Sequence, residues 1–220
     1  MTAPKIRIQE RATLLTRARY DRIAGIYDRL ERPLETRAFQ QWRTMLWERV
    51  QGPRVLEIGV GTGKNMPCYH KGWQITAIDL SPRMLEQAKQ RAEREHVEVD
   101  LRLGDAQALS FADASFDTVI ATFVFCSVPD PVQGLREAAR VLVAGGQLLL
   151  LEHVLSSNVI LRALMQLANP LMVRMSGANM NRETVKNVER AGFVVQCVDD
   201  LWGDIVKRIE AEKPLLKPVG

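Results

Sequence analysis

Arg54-Val55-Leu56-Glu57-Ile58-Gly59-Val60-Gly61-Thr62-Gly63 is the stretch on which the reading of this 220-residue chain turns. Five residues of mostly apolar character run into three alternating glycines, as a buried strand does when it enters a tight turn. Glycine suits such a turn because a ligand has to approach the backbone closely there. Asp79 lies 20 positions beyond Gly59, at the end of the next apolar run, Gln74 to Asp79. A carboxylate so placed accepts both hydroxyl hydrogens of a ribose.

The spacing is G-x-G-x-G, and position 64 is lysine, so the dinucleotide fingerprint G-x-G-x-x-G is not met. Glu57 at the strand end repels a pyrophosphate. It suits a cationic ligand such as the amino-acid end of S-adenosylmethionine.

Outward from this segment, strands and helices alternate. Strands are expected at Val97–Leu103, Phe116–Thr122, Gln147–Glu152 and Phe193–Asp199. A helix opens at Ser81-Pro82 and runs to about Glu95, with Ser81 as cap and Pro82 in the first turn. Others span Pro131–Val143, closed by Gly145-Gly146, and Thr184–Ala191. Residues 159–176 are apolar and rich in methionine, and Asn169-Pro170 is expected to split them into two short helices. Upstream, helices are expected over 9–24 and from Pro33 to Val50. Alternation of this kind predicts a mostly parallel α/β sheet with ligands beyond its C-terminal strand ends.

Composition excludes several classes. Hydrophobic residues make up 46% and charged residues 25%, which describes a globular protein. No run of about 18 uncharged apolar residues exists, so no spanning helix is expected. The first ten residues lack the apolar region of a secretory signal. Three cysteines without a C-x-x-C pair argue against a disulfide framework or structural zinc and fit a reducing cytoplasm. Residues 1–54 carry 12 Lys+Arg against 6 Asp+Glu, while the remainder carries 18 against 20. The basic arm suits an anionic lipid surface. No zinc-finger, RNA-binding or recognition-helix signature points to nucleic acid.

Taken together, E-I-G-V-G-T-G at 57–63, I-D-L-S-P-x-M-L at 78–85, G-D-A at 104–106, F-x-x-x-S-F-D-x-V at 111–119 and R-V-L-x-x-G-G at 140–146 resemble the class I S-adenosylmethionine-dependent methyltransferases. The resemblance implies a Rossmann-like fold: a mostly parallel seven-stranded sheet with helices on both faces. An N-terminal helical arm and cap is expected over 1–52. The methyltransferase domain is expected over 53–220, with 156–182 as a lid over the acceptor site. S-adenosylmethionine would be the cofactor, leaving as S-adenosylhomocysteine, and no metal is implied. Gly59, Gly61 and Gly63 would wrap its methionine part and ribose, with Glu57 close by. Asp79 would hold the ribose hydroxyls, Leu80 and Met84 would flank the adenine, and Asp105 and Ala106 would meet its amino edge. Thr122 and Phe123 would lie beside the sulfonium.

Three further segments are more specific. They are Y-D-x-I-A-x-I-Y-D at 20–28, F-V-F-C-S-V-P-D at 123–130 with L-E-H-V at 151–154, and G-A-N-M-N-R-E-T at 177–184. The segment at 20–28 resembles the entry of quinone and phospholipid methyltransferases. The others resemble the smaller bacterial phosphatidylethanolamine N-methyltransferases and also membrane-associated thiol methyltransferases of animals. The phosphatidylethanolamine group implies a monomeric cytoplasmic enzyme, peripheral on the inner membrane face, that methylates a phospholipid amine towards phosphatidylcholine. A thiol or quinone acceptor is the alternative, and a non-catalytic cofactor-binding or membrane-docking module the third reading.

An amine with a pKa of roughly 10 has to lose a proton before it attacks the methyl group. His153 is the first candidate base and Glu152 the second, only one of the two being expected to face the pocket. Tyr20 and Tyr27 would cover the sulfonium or cup a methylated ammonium. Arg182, then Arg174 and Lys186, would hold a substrate phosphate. Met165, Leu167, Leu171, Met172 and Met175 could enter a membrane while Arg162 and Arg174 snorkel.

Overall fold

In the computed structural model, residues 3–31, 37–176 and 178–215 are described, with the side chains of 3–8, 30–31 and 175–176 excepted. Pro33 and the Met175 side chain lie outside that set. Helices α1 (Ala3–Ile23), α2 (Tyr27–Glu31) and α3 (Arg37–Trp47) precede the sheet. The chain turns at Ala24–Ile26 around Gly25, and α3 stops three residues short of the expected Val50.

Then follow β1 (Arg54–Ile58), β2 (Gln74–Asp79), α4 (Pro82–Glu95), β3 (Asp100–Leu103), β4 (Phe116–Thr122), α5 (Pro131–Val141) and β5 (Leu142–His153). Helices α6 (Val159–Ser176) and α7 (Thr184–Arg190) lead to the hairpin β6 (Val194–Trp202) and β7 (Val206–Glu212). The strands form one sheet in the order β3-β2-β1-β4-β5-β7-β6, parallel except for β7, which runs antiparallel to both neighbours. The order reverses between β1 and β4, and ligands bind at such a switch point, beyond the strand ends.

Helices cover both faces. Leu148 and Leu150 of β5 pack in the cluster that holds Leu135 and Ala138 of α5 and Val188 of α7. Leu149 and Leu151 pack on the opposite face with Leu46 and Trp47 of α3. Burial on both faces explains why these strands read as continuous apolar runs. Helix α4 begins as its sequence predicts: the Ser81 hydroxyl accepts from Met84 N–H at 3.1 Å, and Pro82 occupies the first turn.

Three expectations need correction. Residues 159–176 are one helix, with Pro170 inside it. Pro170 cannot donate to the carbonyl of Gln166, but both residues are exposed, so that carbonyl faces solvent and the helix continues. Gly145-Gly146 does not close α5. The helix ends at Val141 and β5 starts at once, with a register shift opposite Phe116–Thr118. A side chain at Gly146 would meet the carbonyls of Val143 at 2.8 Å and Asp117 at 3.2 Å, which is why glycine stands there. The strand expected at Phe193–Asp199 is the first of a hairpin, whose second strand, β7, was not expected.

Leu149 is fully buried between β4 and β7. Leu149→Ala is expected to lower unfolding stability by about 2–5 kcal/mol, read from urea denaturation, with the cofactor-loop residues untouched.

Candidate functional site

At the switch point the turns after β1, β2 and β4 surround a cleft of about 720 Å³ counting its open mouth. Tyr20, Tyr27, Gly59, Gly61, Asp79, Leu80, Met84, Asp105, Ala106, Thr122 and Phe123 all line it, so eleven of the expected site residues share one space.

Asp79 organises the floor. Its carboxylate accepts from Gly61 N–H at 2.9 Å and Ser81 N–H at 2.8 Å. Burial pushes its pKa up to about 6, against the pull of those two donors. Further donors, such as a pair of ribose hydroxyls, would favour the charged form. Gly61 has φ +57 and nothing within 4 Å of where a Cβ would sit, so that space in the cleft wall stays open to a ligand. A half-buried acceptor and an open backbone cradle together fit the ribose and methionine ends of the expected cofactor.

The arm closes the cleft from above, and its contacts explain the Y-D-x-I-A-x-I-Y-D segment. The Tyr20 hydroxyl lies 2.7 Å from Ser127 Oγ. Asp21 accepts from Ser81 Oγ at 2.6 Å. Asp28 accepts from Thr62 Oγ1 at 2.6 Å and Arg91 Nη2 at 2.5 Å. Gln107 donates to Thr13 Oγ1 at 3.0 Å. Each motif tyrosine lines the cleft, and each following aspartate bonds a cofactor-side turn. Thr16 and Ser127 also line the cleft. Sequence reasoning missed both, although the spacing of Thr16 and Tyr20, one helical turn apart, was a usable signal.

Other expected residues lie elsewhere. Glu57 is buried beneath the glycine turn, accepting from Asn65 Nδ2 at 2.7 Å and from the Tyr69 hydroxyl. It does not line the cleft, and desolvation raises its pKa to about 7. Gly63 packs on Met66 away from the cleft. Glu152 is fully buried, and its Oε1 accepts from the N–H groups of Val124 and Phe125, both at 2.8 Å. Its pKa is also raised to about 7 by burial. His153, on the opposite face, stacks on the far side chain of the wall, 4.5 Å from the Phe123 ring centre, and burial lowers its pKa. Neither member of the pair opens into the cleft.

Phe123 itself has φ +57, a left-handed backbone that costs a non-glycine residue energy. The loop that follows is clamped from below. Besides Glu152, Asn179 donates to the Cys126 carbonyl through its backbone N–H at 2.9 Å and its side chain at 3.1 Å. Arg182 Nη2 donates to the Val128 carbonyl at 2.8 Å, and burial lowers the Arg182 pKa. The G-A-N-M-N-R segment therefore braces the acceptor-side loop, and Arg182 does not line the cleft. Arg174 is exposed on α6, and Lys186 is exposed and paired with Glu183 at 2.7 Å. No described residue of 156–182 lines the cleft.

Comparisons with known proteins agree with this geometry. Residues 56–150 match the family described as a methyltransferase domain. A phosphatidylethanolamine N-methyltransferase of Cereibacter sphaeroides is 41% identical over 113 residues, covering 50% of this chain and 56% of that protein. A demethylmenaquinone methyltransferase of Renibacterium salmoninarum is 30% identical, covering 87% and 85%. A thiol S-methyltransferase of Homo sapiens is 35% identical, covering 63% and 59%. The match thus spans little more than half of the first and third of these relatives. Among solved structures, a SAM-dependent methyltransferase from Thermotoga maritima superposes with a TM-score of 0.67 at 24% identity, covering 89% of this chain and 99% of that one.

Two pH effects follow. Affinity for S-adenosylhomocysteine should hold above pH 7 and fall as pH drops through about 6, where Asp79 takes up a proton. Asp79→Asn should remove that step and weaken binding about tenfold or more, as read by calorimetric titration. Glu57 and Glu152 have folded pKa values raised from 4.5 to about 7. The stability they lend is full below about 4.5 and is lost as pH rises through about 7. Urea midpoints measured on the cofactor-free protein should show that fall, and Glu57→Gln or Glu152→Gln should flatten it.

Proposed function

Because the chain belongs to the class I S-adenosylmethionine-dependent methyltransferases, we propose that it methylates the amine of phosphatidylethanolamine at a membrane surface, and its partly methylated products towards phosphatidylcholine. The observation that carries the lipid reading is on α6. Ile160, Leu164, Leu167 and Leu171, at spacings of 4, 3 and 4, form one stripe and are 74%, 58%, 80% and 61% exposed. An apolar stripe left in water is a docking surface, and one lying along a helix suits the lipid interface. Of the residues expected to insert, Met165 is buried instead, while Leu167 and Leu171 belong to the stripe. Among the described residues no helix is long and apolar enough to cross a membrane, so contact would be peripheral. The basic arm would add attraction to anionic headgroups. The identity to the Cereibacter enzyme supports the same acceptor.

S-adenosylmethionine supplies an electrophilic methyl group on a sulfonium. The protein's part is to bring in a neutral amine, in line and free of water. Tyr20, Tyr27, Phe123, Val128 and Pro129 make the cleft wall largely apolar, and desolvation there lowers the amine pKa. The Tyr20 and Ser127 hydroxyls offer acceptors for the amine N–H, which orients the lone pair. Orientation can supply several kcal/mol of rate enhancement. The nitrogen gains the methyl, the sulfur keeps the bonding pair, and the extra proton leaves to water. His153 and Glu152 have no direct path to that proton.

A quinone acceptor is the second reading, supported by the longer match to the demethylmenaquinone enzyme. Methyl-labelled S-adenosylmethionine with phosphatidylethanolamine vesicles separates the two. Label in mono-, di- or trimethylated headgroups, raised by anionic lipid, is the expected result. Unlabelled lipid alongside a labelled quinone or thiol would sink the proposal. Leu164→Glu with Leu167→Glu should cut vesicle binding while leaving cofactor affinity intact, and Tyr20→Phe should lower kcat/KM by about tenfold.

A further inference from the structure

A second cavity, of about 1230 Å³ counting its open mouth, lies beside the cleft. Asp28 of α2, Arg43 and Thr44 of α3, Lys64 of the glycine turn and Arg91 of α4 contribute to its walls. Among the described residues that line it, three are cationic and one is a carboxylate. None of these cations belongs to a sequence motif, and Arg174, Arg182 and Lys186, expected to hold a phosphate, do not line this cavity.

Two aromatic rings separate this cavity from the donor cleft. Tyr27 and Phe123 both line the cleft. Lys64 Nζ lies 5.5 Å from the centre of the Tyr27 ring, and the Arg43 guanidinium lies 5.8 Å from that of Phe123. Each cation therefore packs on a ring that also lines the cleft. Helix α2 joins the two spaces directly, giving Tyr27 to one and Asp28 to the other.

Two of the cations are held by polar partners. Arg43 is buried and donates to Asn65 Oδ1 at 3.0 Å. Arg91 is clamped by Asp28 at 2.5 Å, with Glu95 at 3.8 Å. Three cations against a single lining carboxylate leave the cavity net positive, which suits an anion. Guanidinium forks and an ammonium together match the oxygens of a phosphate. We propose that this cavity is a phosphate subsite, which takes the phosphodiester of the acceptor while its amine, two carbons further on, reaches the cleft past Tyr27 and Phe123. The inference rests on the phospholipid reading for its substrate. A thiol or a quinone carries no group for such a site. Free phosphate shares the recognising chemistry, so both sources have to be tried.

Lys64 is partly exposed at the mouth, so its variants should fold. Calorimetry on the full chain at low salt would titrate glycerophosphoethanolamine and inorganic phosphate, with S-adenosylhomocysteine in parallel. Glycerophosphoethanolamine should bind, Lys64→Glu should weaken it about tenfold or more, and Lys64→Arg should restore it, with S-adenosylhomocysteine affinity unchanged throughout. Tighter binding of glycerophosphoethanolamine than of phosphate supports the headgroup as ligand, and the reverse order supports free phosphate in the same subsite. Binding of neither overturns the proposal. So does a parallel loss of S-adenosylhomocysteine affinity in Lys64→Glu, which would give the cavity to the donor's carboxylate. With phosphatidylethanolamine vesicles, an unchanged KM in Lys64→Glu overturns the subsite alone. Absent methylation by the wild type, with phosphate binding intact, overturns the lipid reading alone.

Discussion

A half-buried carboxylate in a largely apolar cleft needs donors, and Asp79 takes two from the backbone of different turns. Gly61 N–H and Ser81 N–H converge on it, so the turns after β1 and β2 are tied into one rigid rim. The arm then builds on that rim. Asp21 bonds the Ser81 hydroxyl and Asp28 bonds the Thr62 hydroxyl, one on each tied turn. If the rim moved, the arm would lose its footing and the cleft its roof.

The opposite rim obeys the same rule with a different carboxylate. Glu152 is fully buried, and the N–H groups of Val124 and Phe125 satisfy one of its oxygens. Asn179 and Arg182 hold the next carbonyls of that loop. The parts of the chain that vary most from a plain α/β sheet, the arm and the 178–183 segment, thus converge on the two loops that form the cleft walls. Polar bonds fix the loops, while apolar burial on both sheet faces fixes the platform beneath them.

Much of this was legible in the sequence. The glycine turn, Asp79 and the alternation of strands led to the sheet and the cleft floor, because local rules govern turns and strand burial. The partners of Glu57, Glu152, His153 and Arg182 were not legible. Strand alternation correctly placed Glu152 and His153 on opposite faces, but it says nothing of what covers each face. Backbone N–H groups of a distant loop cover one, and Phe123 covers the other. Arg182 misled because an arginine beside a functional segment reads as a ligand for anions, whereas here it answers a carbonyl 54 residues away. The basic cavity escaped notice because Arg43, Lys64 and Arg91 are far apart in the chain, and each has an ordinary helical or loop neighbourhood.

The left-handed backbone of Phe123 has a consequence for how this protein would respond to selection. A phenylalanine at φ +57 is less stable there than glycine or asparagine would be. A screen for heat resistance alone should therefore drift towards Gly or Asn at this position. Such a change would relax the loop, but it would also delete the ring shared by the cleft wall, His153 and Arg43. Robustness and turnover are set against each other at a single residue, so the position reports which of the two an evolving population has been asked to keep.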